Sequence, residues 1–386
     1  MAVHTQIRRF STTEEVVEEL TPGYPVYCLR PAELQRQAKL FLNSFPGRVM
    51  YAVKCNPHLA VLQELYEAGI RHFDTASLAE IALIREHFPQ ADCYFMHPVK
   101  ARAAIMTAHE VYNVDHFVLD HESELDKIIA TTGGSDGKVV LVRITTPVHD
   151  SQYQLSDKFG VSAEDAPALL RKVYDANFQT GLAFHVGSQC RSPKAFTDGI
   201  NTALEVIEAS NVPIHYLDVG GGFPAQYLDD QPPELSEYFN AIDEAFSDNR
   251  LRKDCVLLCE PGRALVASGC TLLTQIQLRK GNKLYINDGI YQSLSETITG
   301  KMKLPTRLIN PTRQICNELT EFTIFGPTCD NLDVLPEPFL LPSDADEGDW
   351  IEIGQTGAYT NSAATRFNGF YPETFVSVDA PPLLPV

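Results

Sequence analysis

At 386 residues the chain is too long for one ordinary core and suits a barrel of roughly 250 residues with a smaller second domain. Its 44% hydrophobic and 21% charged residues exclude disordered or collagen-like chains. The formal charge of −19 argues against nucleic acid and anionic membranes as partners, because phosphate binding needs a basic face.

No apolar stretch follows Arg8 and Arg9, and no run of about 18 apolar residues occurs anywhere, so neither an export signal nor a membrane span is expected. Nine cysteines, an odd number scattered from Cys28 to Cys329, read as reduced thiols and predict a cytoplasmic protein.

In chain order, short apolar runs predict strands at Val49–Val53, Arg71–Asp74, Asp92–Phe95, Phe117–Leu119, Val139–Ile144, Gly181–Phe184, Tyr216–Val219 and Val256–Cys259. Amphipathic segments between them predict helices such as Leu59–Ala68, Leu78–Glu86, Glu122–Ala130, Ala166–Ala176, Pro193–Glu208 and Leu235–Phe246. Eight successive βα units close most naturally into an α/β barrel. After Glu260 the β-prone runs Ala264–Leu278, Lys283–Ile286, Glu321–Phe325, Trp350–Ile353 and Thr374–Val378 are separated by Pro and Gly, which predicts a second, antiparallel, β-rich domain. The expected division is a barrel over 30–265 and a β domain built from 266–386 with 1–29.

Barrel active sites lie at the C-terminal strand ends, which here carry Lys54, Asp74, His97, Arg143, His185, Gly220 to Gly222 and Glu260. A lysine ending Tyr51-Ala-Val-Lys54 is unusual, since Lys is rarely buried without a partner or a covalent role, although by itself it reads slightly better as a solvent-snorkelling rim residue. The Gly220-Gly-Gly-Phe-Pro turn exposes backbone N–H groups as an anion nest and lacks both the Walker A Lys-Ser/Thr and the dinucleotide fingerprint, which favours a small phosphorylated cofactor over ATP or NAD. Glu260-Pro-Gly-Arg263 can aim an acid at a ring nitrogen and an arginine at a phosphate, or form a surface ion pair. Cys255 and Cys259 lack a second pair at zinc spacing, so no metal is expected.

Tyr51-Ala-Val-Lys54-Cys-Asn, Phe73-Asp74-Thr-Ala-Ser, His185-Val-Gly-Ser188, Gly220-Gly-Gly-Phe-Pro, Glu260-Pro-Gly-Arg263, Gly326-Pro-Thr-Cys329-Asp330 and Gly357-Ala-Tyr359 together, in order from about residue 24 to 378, resemble the fold-type III decarboxylases of the ornithine decarboxylase family. The resemblance implies an alanine racemase-like barrel with a C-terminal β domain, and pyridoxal 5'-phosphate carried by Lys54 as a Schiff base. It implies His185 on the pyridine face and Glu260 at the ring nitrogen. It also implies phosphate contacts from Ser188, Gly220, Gly221, Gly222, Gly262, Arg263 and Tyr359, with Asp74 and Arg143 ordering the surroundings.

Cys329 and Asp330 would enter from the β domain of a second subunit, the cysteine as a proton donor to Cα and the aspartate toward the substrate, which makes a homodimer with shared sites. Tyr291 and Phe367 would complete the substrate pocket. The diaminopimelate branch carries Cys-Glu-Ser where this chain has Cys329-Asp330-Asn331, and it lacks the Phe367-Asn-Gly-Phe370 ending, so the resemblance is nearer to ornithine decarboxylase.

Relatives acting on diamino acids usually place another acid near the positions of Thr299 to Lys301, where this chain has none. Losing one carboxylate partner of a buried ammonium costs roughly 1.5–3 kcal/mol, unless Glu296 takes its place. Decarboxylation of L-ornithine or L-lysine is the leading expectation. A citryl-conjugated amino acid of siderophore-type biosynthesis, met by Lys301 or Arg307, is the second, and a non-catalytic antizyme-inhibitor-like binder the third.

Overall fold

The computed structural model describes residues 7–147, 151–153, 158–248 and 250–385. Eight parallel strands close a barrel in chain order: Arg48–Ala52, His72–Thr75, Asp92–Phe95, His116–Leu119, Val139–Arg143, Gln179–Ala183, Tyr216–Asp218 and Val256–Cys259. Closure is made by Leu258 and Cys259 pairing with Arg48 and Val49. The strands are short, nearly continuous apolar runs because both faces are buried, one against barrel filling and the other against helices.

The helices begin and end where local chemistry sets them. Ser77 accepts the Glu80 N–H at the start of Leu78–His87, and Gly69, at φ 119°, ends Leu59–Ala68 in a conformation that a side chain would resist. Further helices span Thr13–Leu20, Pro31–Ser44 and Arg102–Glu110.

Two strand-level expectations need correction. The run Ala264–Leu278 is not one strand: Arg263–Val266 is a helical turn, Ala267–Gly269 a 3-10 turn, and the strand starts at Cys270. Ala264, Leu265 and Val266 are buried, and a short apolar run reads the same in a buried helix as in a strand.

The second sheet is also mixed rather than antiparallel. Val26–Leu29 runs antiparallel to Cys270–Lys280 but parallel to Thr374–Val378, Arg9–Phe10 is parallel to that last strand, and Lys283–Ile286 is parallel to Leu319–Phe325. Trp350–Ile353 lies between Cys270–Lys280 and Thr306–Ile309, both antiparallel to it, and Phe339–Pro342 edges the sheet.

A buried ion network fixes this sheet. Glu352 is fully inaccessible and accepts hydrogen bonds from Arg30 at 2.6 Å, Thr13 at 2.9 Å, Thr271 at 2.8 Å and Arg307 at 2.6 Å. Arg30 also donates to the carbonyls of Cys28, Ala380 and Pro381. Burial alone would raise the Glu352 carboxyl, but Arg307 and Arg30 outweigh it and hold it below its ordinary value. Arg307, which sequence offered as a partner for an anionic substrate tail, is therefore committed to Glu352 and to Glu14 at 2.6 Å.

Glu352→Gln leaves Arg30 buried without its counter-charge and should lower stability to urea by about 3 kcal/mol; a loss below ~1 kcal/mol would show that the charge is not what matters. Because the carboxyl pKa is depressed in the fold, the contribution is present above the ordinary Glu range and fades as pH falls through the lowered value.

Candidate active site

Lys54 does not end a strand. The first barrel strand stops at Ala52 and a 3-10 turn, Val53–Cys55, turns the lysine into the barrel mouth. Its ammonium donates to Asp74 at 3.2 Å, and Asp74 is 2% exposed. The lysine side chain keeps 43% of its surface, but that surface lines a cavity of about 530 Å³ shared with Ser188, Arg263, Glu296, Thr299 and Tyr359. Burial would depress the amine, yet Asp74 and Glu260 outweigh it and raise its pKa, so it carries its proton.

Three carboxylates interact here: Asp74 and Glu260 act on this cation, and Asp218 on both of them. Glu260 follows the last strand, and burial together with Asp218 and Asp74 lifts its pKa well above the ordinary range. Asp218, fully buried, accepts the Gly220 N–H at 2.8 Å, and burial raises it to about 7. Its second oxygen has no donor among the described residues and faces Glu260, so a proton shared between the two acids satisfies both. Asp218 is not among the residues that the sequence singles out, because the predicted strand runs on through Val219 and places it inside, whereas the strand ends at Asp218 itself.

His185 lies just past the sixth strand and accepts the Gly187 N–H through Nδ1 at 3.0 Å, which leaves Nε2 as the protonated nitrogen. Burial, then Arg143 and Lys54, push its pKa well down, so the ring is neutral. Arg143 ends the fifth strand and lies over the Phe159 ring. His97 contacts the same ring edge-on at 5.2 Å between centroids.

The turn after Asp218 approaches its neighbours too closely for side chains. Gly220 and Gly222 have φ of 70° and 103°, and a Cβ on Gly221 would lie 2.6 Å from the Glu260 carbonyl oxygen. Gly262 likewise leaves only 2.9 Å to the Cys55 side chain. Arg263 is buried, donating to Tyr227 at 2.8 Å, Ser188 at 3.4 Å and Glu296 at 2.6 and 2.7 Å; its Nε–H has no acceptor among the described residues. Tyr359, its ring 5.0 Å from the guanidinium, donates its backbone N–H to Cys55. Tyr227 is a second residue that sequence reading missed, for it belongs to no strand end.

The remaining expected residues form a separate group. Cys329 is exposed and donates from its backbone N–H and its thiol to Asn368 at 3.1 and 3.2 Å. Tyr291 donates to Asp330 at 2.6 Å and packs on Phe367 at 4.9 Å between centroids. None of these four residues lines the Lys54 cavity.

With the geometry fixed, comparison with known proteins decides the family. The model of the pyridoxal-dependent decarboxylase pyridoxal-binding domain matches residues 31–267, and the chain is 33% identical to the lysine/ornithine decarboxylase of Selenomonas ruminantium over 97% of this chain and 95% of that one. This chain belongs to the pyridoxal-dependent decarboxylases.

The crystal structure of the Vibrio vulnificus lysine/ornithine decarboxylase complexed with putrescine superposes with a TM-score of 0.81 at 30% identity, over 95% of this chain and 99% of that chain. The antizyme inhibitor 2 of Xenopus laevis is 31% identical, over 92% of this chain and 82% of that one. The barrel with its β-rich second domain is thus fold type III, and the cofactor is pyridoxal 5'-phosphate.

The site fits that group on its own chemistry. An amine lining the cavity, an acid able to hold a proton against a ring nitrogen, a glycine turn with room for an anion and a buried guanidinium with a spare N–H supply the needed contacts. In the cofactor-free protein, the raised Asp218 pKa means stability present below the ordinary Asp value and lost as pH rises toward about 7. Asp218→Asn should therefore gain in melting temperature relative to wild type between about pH 5 and pH 8; parallel melting curves across that range would exclude the shared proton.

Proposed function

We propose that the protein decarboxylates a basic L-amino acid, most readily L-ornithine or L-lysine, to the corresponding diamine. The observation that supports this best is Lys54 held in a cavity between Asp74 and Glu260, with the phosphate-type donors of Arg263, Ser188 and the glycine turn beside it. Its likeness to lysine/ornithine decarboxylases over nearly the whole chain supports the substrate class. A pure binding homologue has no need for this arrangement.

On this reading the barrel takes in 30–265, and the β domain takes in 1–29 with 266–386. Pyridoxal phosphate supplies the electron sink for the pair released when the Cα–carboxylate bond breaks. Lys54 is the amine that anchors it, and Asp74 holds that side chain in place. Glu260 would keep a proton at the ring nitrogen, and His185 would offer a flat face held neutral by burial, with Arg143 and Lys54 adding to it. Ser188, Gly220, Gly221, Gly222, Gly262, Arg263 and Tyr359 receive the phosphate.

Cys329 then donates a proton to Cα, and Asp330 with Glu296 meets the distal ammonium, within a pocket walled by Tyr291 and Phe367. Cys329 is exposed and outside the Lys54 cavity, beside exposed Leu332, Phe367 and Phe370. An apolar patch around a proton donor suits a second copy of the chain, each copy lending its Cys329 to the other's site.

Product analysis with L-ornithine, L-lysine, L-arginine and citryl-conjugated amino acids tests the substrate class. Release of CO₂ with a free diamine is expected, and turnover of conjugates alone would overturn the reading. Lys54→Ala should lose the visible absorbance of the bound cofactor and all turnover. Cys329→Ala should keep the cofactor but give slower or aberrant product, and mixing it with Lys54→Ala should restore normal amine formation toward about a quarter of wild type, because random pairing rebuilds one intact site in half of the dimers. No recovery on mixing would place Cys329 and Lys54 of one site in the same chain.

A further inference from the structure

Arg263 binds Glu296 through both Nη groups, at 2.6 and 2.7 Å, and does so almost fully buried, with 3% of its side chain accessible. Tyr227 and Ser188 flank the same guanidinium, and the glycine turn with its positive φ values lies beyond them. The donor set assigned to a phosphate is thus engaged by a carboxylate belonging to the chain itself. The edge that carries both Nη groups occurs once on a planar guanidinium, so a phosphate that takes that edge displaces Glu296, and only the Nε–H stays open to a phosphate that does not. The pair is held by two charge-assisted hydrogen bonds, but a phosphate carrying about two negative charges is the stronger claimant.

Glu296 is also placed to move. It opens a helix of a single turn, Glu296–Thr299, whose backbone hold includes the Gly300 N–H donating to the Glu296 carbonyl at 2.9 Å. Ser295, Glu296 and Thr299 line the same cavity as Lys54. Rotating one side chain away from Arg263 turns a carboxylate into that cavity without disturbing the barrel. Gly300 and Lys301 follow at once, so the released charge has no acidic neighbour on its own segment.

We propose that Glu296 is an exchangeable carboxylate, which competes with the cofactor phosphate for Arg263 and, once displaced, turns into the cavity to receive the distal ammonium of the substrate. The second half rests on the basic amino acid reading given above; the first half does not. Exchange makes the two ligands cooperative: the phosphate releases the carboxylate, and a cation stabilises it in the released position, so each strengthens the other by the same factor. It also gives an order to assembly, cofactor first and amine second.

Inorganic phosphate is the probe, because it lacks the aldehyde with which amines react. Calorimetric titration of the full-length protein after removal of the cofactor should show Glu296→Gln binding phosphate about tenfold more tightly than wild type, since the competitor has lost its charge. Equal or weaker binding in a variant of unchanged melting temperature would overturn the competition and leave Glu296 as a residue that orients Arg263.

Saturating cadaverine should tighten phosphate binding several-fold in wild type and leave Glu296→Gln unaffected, whereas no effect on wild type would overturn the hand-over. Neither titration needs turnover. A protein that passes both yet releases no CO₂ from any basic amino acid fails the functional reading alone.

Discussion

Barrel closure is the constraint on which the site depends. Pairing of Leu258 and Cys259 with Arg48 and Val49 brings the last strand beside the first, and the Ala52 N–H donates to the Pro261 carbonyl at 3.1 Å just beyond them. Residues 206 positions apart, Lys54 and Glu260, thereby become electrostatic neighbours. Asp74 arrives on the second strand and Asp218 on the seventh, so an ammonium and three acids meet where four strands end. A group of this kind is costly to bury and survives because protons and hydrogen bonds are shared within it. The same crowding prepares the site to hold charge on a bound heterocycle, because each acid sets the proton affinity of the next.

Much of this could be read in the sequence, for physical reasons that differ by element. Strands buried on both faces announce themselves as apolar runs, so Asp92–Phe95 and Val256–Cys259 match to the residue. Helices with sharp stops do the same, as Leu59–Ala68 before Gly69 shows. The region after Glu260 was harder. An apolar run does not say whether it is helix or strand, and parallel or antiparallel pairing in a mixed sheet is decided by partners far away in the chain.

The site followed the same division. Strand-end residues could be named because the barrel puts chemistry there. Asp218 was hidden inside an apparently ordinary strand, Tyr227 lies in a loop, and the engagement of Arg307 and Glu296 by oppositely charged partners depends on contacts between residues far apart in the chain that periodicity does not carry.

The residues that sequence placed in one pocket fall into two groups. One is deep, built on rigid strand ends, and holds groups suited to a phosphorylated ring. The other sits on the β-rich side around Cys329, Asp330 and Tyr291, at the surface. On the proposed reading, in which Cys329 gives a proton to the reacting carbon, that placement lets the donor be delivered against a pocket already formed rather than packed into it.

The mixed sheet also bears on how the chain is made. Val26–Leu29 is flanked by Cys270–Lys280 on one side and Thr374–Val378 on the other, and Arg9–Phe10 pairs with Ser377 and Val378. The eight-stranded barrel can close once Val256–Cys259 is available, whereas Arg9–Phe10 and Val26–Leu29 complete their pairing only with Thr374–Val378, far later in the chain. Until that strand is in place, the open edges of Arg9–Phe10 and Val26–Leu29 are templates for wrong pairing, and Thr374–Val378 acts as the clasp that ends that exposure.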